Sequence, residues 1–184
     1  MKRYFLIYII LFFFIGCKKN NEQIKIENFE NVIFKIPEDW KVLNLKNIDS
    51  KRKAYLSSDS DTIYVEYGLY NNPFDEKKIV VSDSLIYKKI KNVSESNVFF
   101  SEDQELDNSQ GIFLDNYYYY DTINSYQAKI MLPKKKSKGQ MGIYIKNIDK
   151  EGNSFSIYSS KPLKGKDSLA FLNIFKTIEI TTKP

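Results

Sequence analysis

Thr62-Ile63-Tyr64-Val65-Glu66-Tyr67-Gly68-Leu69-Tyr70 alternates without a break. Ile63, Val65, Tyr67 and Leu69 fall on one side of an extended chain, and Thr62, Tyr64, Glu66, Gly68 and Tyr70 on the other, the period-two pattern of a strand with one face on a core. The same chemistry recurs on both sides. Val32-Ile33-Phe34-Lys35-Ile36 reads as a strand that enters a turn at Pro37-Glu38-Asp39, with Trp40, the only Trp in the chain, as a buried cap. Gly111 to Asp121, Tyr126 to Leu132 and Gly142 to Ile148 are rich in β-branched and aromatic residues. Asp149-Lys150-Glu151-Gly152-Asn153 marks a turn before another such segment, Ser154 to Ser159. Strands joined by short polar turns predict a mostly antiparallel meander.

Two helices interrupt it. Ser82-Asp83-Ser84 offers capping oxygens to a helix running to about Asn92, with Ile86 and Ile90 one turn apart, and Asp167 precedes a second helix, Ser168 to Phe175. Thr177 to Thr181 reads as a last strand. No repeat or interior low-complexity linker divides the chain, so residues 29–184 are expected to form one α+β domain, an antiparallel sheet with flanking helices.

Phe34-Lys35-Ile36-Pro37-Glu38-Asp39-Trp40 resembles the opening of Mog1/PsbP-like domains: apolar, any, apolar, Pro, two further residues, Trp. Ser154-Phe155-Ser156-Ile157-Tyr158, then Asp167 to Phe175, then Thr177-Ile178-Glu179-Ile180 is similar to that family's last hairpin strand, helix and short final strand. The resemblance spans roughly residues 30 to 181. It implies an α/β/α sandwich around an antiparallel sheet, in proteins that bind partners without catalysis. Only the structural signature matches, so no partner-binding residue of the family carries over.

The first sixteen residues have a different character. Lys2 and Arg3 precede an unbroken apolar run of twelve, Tyr4 to Ile15, which is the length of a secretory h-region and short for a membrane span. Phe14-Ile15-Gly16-Cys17 then resembles a lipobox, with Phe where Leu is usual, and Cys17 is the only Cys in the chain. The expectation is a cleaved signal peptide, 1–16, and a mature protein anchored to the membrane by acyl chains on Cys17, each buried methylene contributing roughly 0.8 kcal/mol. Residues 17–28 read as a lipid-anchored tether reaching at most roughly 35 Å. Asp is absent directly after Cys17, unlike the inner-membrane retention signal of some bacteria with two membranes, and this favours the outer membrane. Removing sixteen residues from 184 leaves 168, enough for one core, and losing Lys2 and Arg3 takes the net charge from +5 to +3. That is too mild to imply nucleic acid.

The chain has no His. With its one Cys expected to be acylated as well, it has no Ser-His-Asp triad, Cys-His pair, histidine proton shuttle or thiolate zinc site, and it shows no Gly-rich phosphate loop. The reading is of a protein that is not an enzyme and needs no cofactor. An unusual enzyme would have to bring Glu66, Asp115 or Asp121 together with Lys129 or Lys146 in a cleft. Glu102 to Asn108 begins like a calcium loop but has Asn108 where Gly is needed and Leu114 where the bidentate Glu belongs, and it and Asp59-Ser60-Asp61 read as solvated loop charge.

Two sets of residues remain as binding candidates. Lys134, Lys135, Lys136 and Lys138 project from a hairpin loop, where they meet anionic lipid or simply keep sheet edges apart. Tyr117-Tyr118-Tyr119-Tyr120 alternates across a strand, and Tyr64, Tyr70, Tyr144 and Tyr158 fall on the less apolar sides of theirs. Exposed, Tyr64, Tyr70, Tyr117 and Tyr119 suit a glycan or an envelope protein partner. If helices cover both sheet faces, most of these rings go into the core. Carriage of a small molecule or lipid in a cavity between sheet and helix is the alternative to partner binding.

Overall fold

The computed structural model describes residues 23–43, 45, 50–93 and 98–181. Along them run β1 (Ile24–Phe29), β2 (Val32–Pro37), β3 (Lys41–Leu43), β4 (Lys51–Leu56), β5 (Thr62–Gly68), β6 (Ile79–Val81), α1 (Ser84–Val93), β7 (Val98–Phe100), α2 (Gln104–Ser109), β8 (Asn116–Ile123), β9 (Tyr126–Pro133), β10 (Gly142–Ile145), β11 (Ser154–Ser159), α3 (Gly165–Phe175) and β12 (Glu179–Ile180). The signal peptide and Cys17 expected from the sequence lie outside the described residues. The main sheet has seven strands in the order β3-β4-β5-β11-β10-β9-β8, with every neighbouring pair antiparallel. A smaller antiparallel sheet, β1-β2-β12, and a parallel pair, β6-β7, complete an α+β fold.

The core lies between one face of the main sheet and a layer made by β2 and α3. Val65 of β5 opposes Ile157 of β11, Ile157 opposes Ile143 of β10, and Ile143 opposes Ile130 of β9, so the apolar residues form a row across the strands. Phe34 and Phe155 meet at 6.0 Å, and Phe171 and Phe175 pack edge to face at 5.1 Å. Trp40 is buried directly after the Pro37 turn, as the sequence predicts. Against the opposite face lies an extended segment, Asn71 to Lys78, whose Phe74 packs its ring on Tyr144 and Tyr158. After this segment, α1 packs on β7 and β6, and α2 on β6.

Several boundaries differ from those expected. Ile24 to Asn28, assigned to the tether, belong to β1, in register with β2 from Ile24↔Pro37 to Phe29↔Val32. This strand turns its charges inward: Lys25 Nζ donates to the Trp40 carbonyl at 2.8 Å and Glu27 pairs with Lys53 at 2.6 Å, while Ile24 and Ile26 face solvent. β5 stops at Gly68 because the buried Asn71 amide donates to the Glu66 and Ser154 carbonyls, so Leu69 and Tyr70 form an exposed turn. β8 begins at Asn116, not Gly111, because Gly111 sits at φ 62 within a turn, and it runs on to Ile123. β10 ends at Ile145, ahead of Asn147 at φ 53. β12 is only Glu179–Ile180, since Thr177 closes α3 by donating to the Ile174 carbonyl.

Candidate functional site

An open groove of about 630 Å³ separates α3 from the β8–β9 end of the main sheet. Its origin is local. α3 commits Ala170, Phe171, Ile174 and Phe175 to the core, leaving Leu169 exposed and Leu172 partly buried on its flank. β8 is the edge strand. Ile123 at one end of it still packs on the core, whereas Tyr117 and Tyr119, opposite Leu132 and Ile130 on the same sheet face, stay 47% and 40% exposed. The two rings stack at 6.5 Å and 22°.

The groove is apolar along Tyr117, Leu132, Met141, Leu163 and Leu172, and exposed lysines, Lys134, Lys136 and Lys164, line it as well. Lys134 Nζ is held by the Gly111 carbonyl at 2.5 Å. Among the described residues no ion pair engages Lys136 or Lys164. Lys164 also starts α3 without a side-chain cap, so the positive end of the helix dipole lies at the groove. A surface of this kind suits a ligand with an apolar body and a negative charge.

The eight binding candidates thus part company. Tyr117, Lys134 and Lys136 line the groove, and Tyr119 adjoins it through its stack on Tyr117. Tyr64 lies on the other sheet face, stacked on Tyr158 at 5.3 Å with the Arg52 guanidinium over it. Tyr70 is in the turn after β5. Lys138 pairs with Asp115 at 2.9 Å, and Lys135 bridges Lys138 through the backbone. The reading missed Leu163, Lys164 and the Leu169/Leu172 flank. The signal was present, because Ser168 to Phe175 carries more apolar residues than one core-facing stripe uses.

The carboxylates and lysines that an enzyme reading would need do not converge. Glu66 accepts from Tyr158 at 2.8 Å and pairs with Arg52 at 2.7 Å, Asp115 pairs with Lys78 and Lys138, Lys129 pairs with Asp75, and Asp121 and Lys146 are exposed. Burial, followed by the charge of Glu66, pushes the Tyr158 hydroxyl up to about 12. Glu76 accepts four hydrogen bonds, from the Asp115 and Asn116 backbone, the Asn116 amide and the Tyr118 hydroxyl, at 2.6 to 2.9 Å. Burial opposes its charge, but those donors outweigh burial and hold the carboxyl below its usual range. Glu76 thereby fastens the covering segment to β8. Glu102 to Asn108, the calcium-like run, includes the start of α2, capped by Asp103, and Asp107 accepts from Ser101 at 2.6 Å. Among the described residues no cluster of three or more metal-ligating side chains occurs, and no helix is long and apolar enough to cross a membrane.

No family model matches the chain, and no curated protein matches it significantly.

Proposed function

We propose that the chain is a membrane-tethered, non-catalytic binding module of the bacterial cell envelope, held through an acylated Cys17, and that the groove beside α3 is its binding site. The observation that carries this reading is the union, in one open groove, of an apolar floor with Lys136 and Lys164, which no ion pair engages among the described residues. The Pro37 to Trp40 turn and the α3–β12 ending support placing the domain among Mog1/PsbP-like folds, whose members bind partners.

The groove favours a ligand with an acyl or other apolar chain and an anionic head. Each methylene removed from water contributes roughly 0.8 kcal/mol, so about sixteen supply roughly 13 kcal/mol, which less about 5 kcal/mol for association leaves micromolar affinity. Titration of residues 21–184 with a fluorescent fatty-acid analogue, displaced by oleate, is the test. Saturable one-to-one binding that Leu172→Asp and Lys136→Glu both weaken is expected; unsaturable binding, or binding indifferent to both changes, rejects it. The stacked, half-exposed Tyr117–Tyr119 pair favours a second reading, a glycan or envelope protein seated on the rings. Under that reading Tyr117→Ala abolishes retention of the partner while the fatty acid fails to bind.

A further inference from the structure

We propose that α1 is a second membrane contact, lying along an anionic bilayer surface with Leu85, Ile86 and Val93 dipped among the headgroups. The ten residues Ser84–Val93 form an amphipathic helix with no buried side chain. At 100° per residue, Tyr87 and Ile90 fall on one side, where Tyr87 packs on Phe100 at 5.9 Å and Ile90 is half-buried. Leu85, Ile86 and Val93 fall within a single 100° arc on another side, 67%, 47% and 90% exposed. An apolar ridge of this size on a short surface helix has no partner within the described residues.

Charge identifies the occupant. α1 holds Lys88, Lys89 and Lys91 and no carboxylate. Lys88 and Lys89 flank or interrupt the apolar arc, where their stems reach past it to phosphate groups, while Lys91 folds onto the Tyr87 ring at 5.0 Å. Low mean hydropathy, a strong apolar side and lysines around it are the features of a helix that lies in a membrane interface without crossing it. A neutral protein groove would leave no role for lysines so close to the ridge, and an acidic one is separated from a bilayer by the vesicle comparison below. The inference depends on the helix and stands apart from the groove reading, so either can fail while the other stands.

The test uses the full chain with Cys17→Ser, which removes the only thiol, and a polarity-sensitive fluorophore on Val93→Cys, with Glu151→Cys as a reference on a distant turn. Vesicles of phosphatidylcholine mixed with phosphatidylglycerol are compared with phosphatidylcholine alone. The expected result is a blue shift and brightening at position 93 on the anionic vesicles only, absent at 151, and lost in Lys88→Glu/Lys89→Glu, since two lysines together change attraction to an anionic surface by roughly thirtyfold. A label at 93 that stays as wet as the one at 151 on both vesicle types overturns the proposal and leaves the ridge to a protein partner. Equal drying on neutral and anionic vesicles overturns the anionic surface as the occupant.

Discussion

Gly142 shows how one missing side chain shapes a face of this molecule. A Cβ there would stand 2.8 and 2.9 Å from the Phe74 ring and 3.0 Å from Tyr158 Cβ. Phe74 has little room to retreat. Its backbone is left-handed at φ 62, its N–H donates to the Asn72 side chain at 2.9 Å, and its ring is wedged between Tyr144 and Tyr158. Gly142→Ala, ordinarily a gain in a strand, is therefore expected to destabilise by about 2 kcal/mol through overpacking. For a domain of this size that is a fall in Tm of roughly 4–8 °C. Gly142→Ala combined with Phe74→Leu should recover part of the loss, and a single variant as stable as the parent would show that the ring is not held there.

β1 runs against the pattern that marks the other strands. The central strands were legible because their inward positions are apolar and their outward ones mixed, as in Ile63, Val65 and Tyr67. Trp40 was legible from turn chemistry and α3 from its apolar run, although Asp167, read as preceding the helix, lies inside its first turn and accepts from the Asp59 N–H at 2.9 Å. β1 has the opposite arrangement, with Lys25 and Glu27 inside and Ile24 and Ile26 outside, so no apolar period marks it, and what fixes it is its ladder to β2 together with Lys25 on the Trp40 carbonyl and Glu27 on Lys53. Groove residues were legible only in part for a related reason. Sequence shows that lysines cluster at 134–138, but which of them face Leu163 and Lys164, some thirty residues later, depends on how α3 crosses the sheet. The boundary has a direct check. A chain starting at Gln23 keeps the Glu38 N–H to Gln23 carbonyl bond and all of β1; one starting at Glu30 loses both and is expected to be at least about 2 kcal/mol less stable, by the number of buried partners left unpaired. Equal urea midpoints for the two would show that β1 contributes nothing and that the tether extends to Phe29.

Across the whole molecule, carboxylates fasten the irregular segments to the sheet, and this sets its response to pH. Glu76 ties the Asn71–Lys78 segment to β8, Asp115 joins Lys78 to Lys138, and Asp149, which accepts from the Tyr67 hydroxyl, closes the β10–β11 turn. For all three, burial opposes the charge and is outweighed, at Glu76 and Asp149 by hydrogen bonds and at Asp115 by the two lysines, so each is held below its usual value. A folded value below the unfolded one means stability that is complete above the unfolded pKa, about 4, and is lost as pH falls through the folded pKa. Tyr67 and Tyr158 are shifted the other way, each up to about 12 and chiefly by burial, so their contribution is complete below about 10 and is lost as pH rises toward 12. The chain contains no His, the side chain that ordinarily titrates near neutral pH. The urea midpoint should accordingly be flat from about pH 5 to 9 and fall on both sides. Glu76→Gln separates the acid limb from general acid sensitivity. The amide keeps the shape but not the charge, so the variant should be about 1–2 kcal/mol weaker than the parent at pH 7. That gap should narrow as pH falls below the ordinary carboxylate value of about 4 and the parent's own carboxyl takes up a proton; a gap that stays constant across the range would show that the charge on Glu76 does not hold the segment on the sheet.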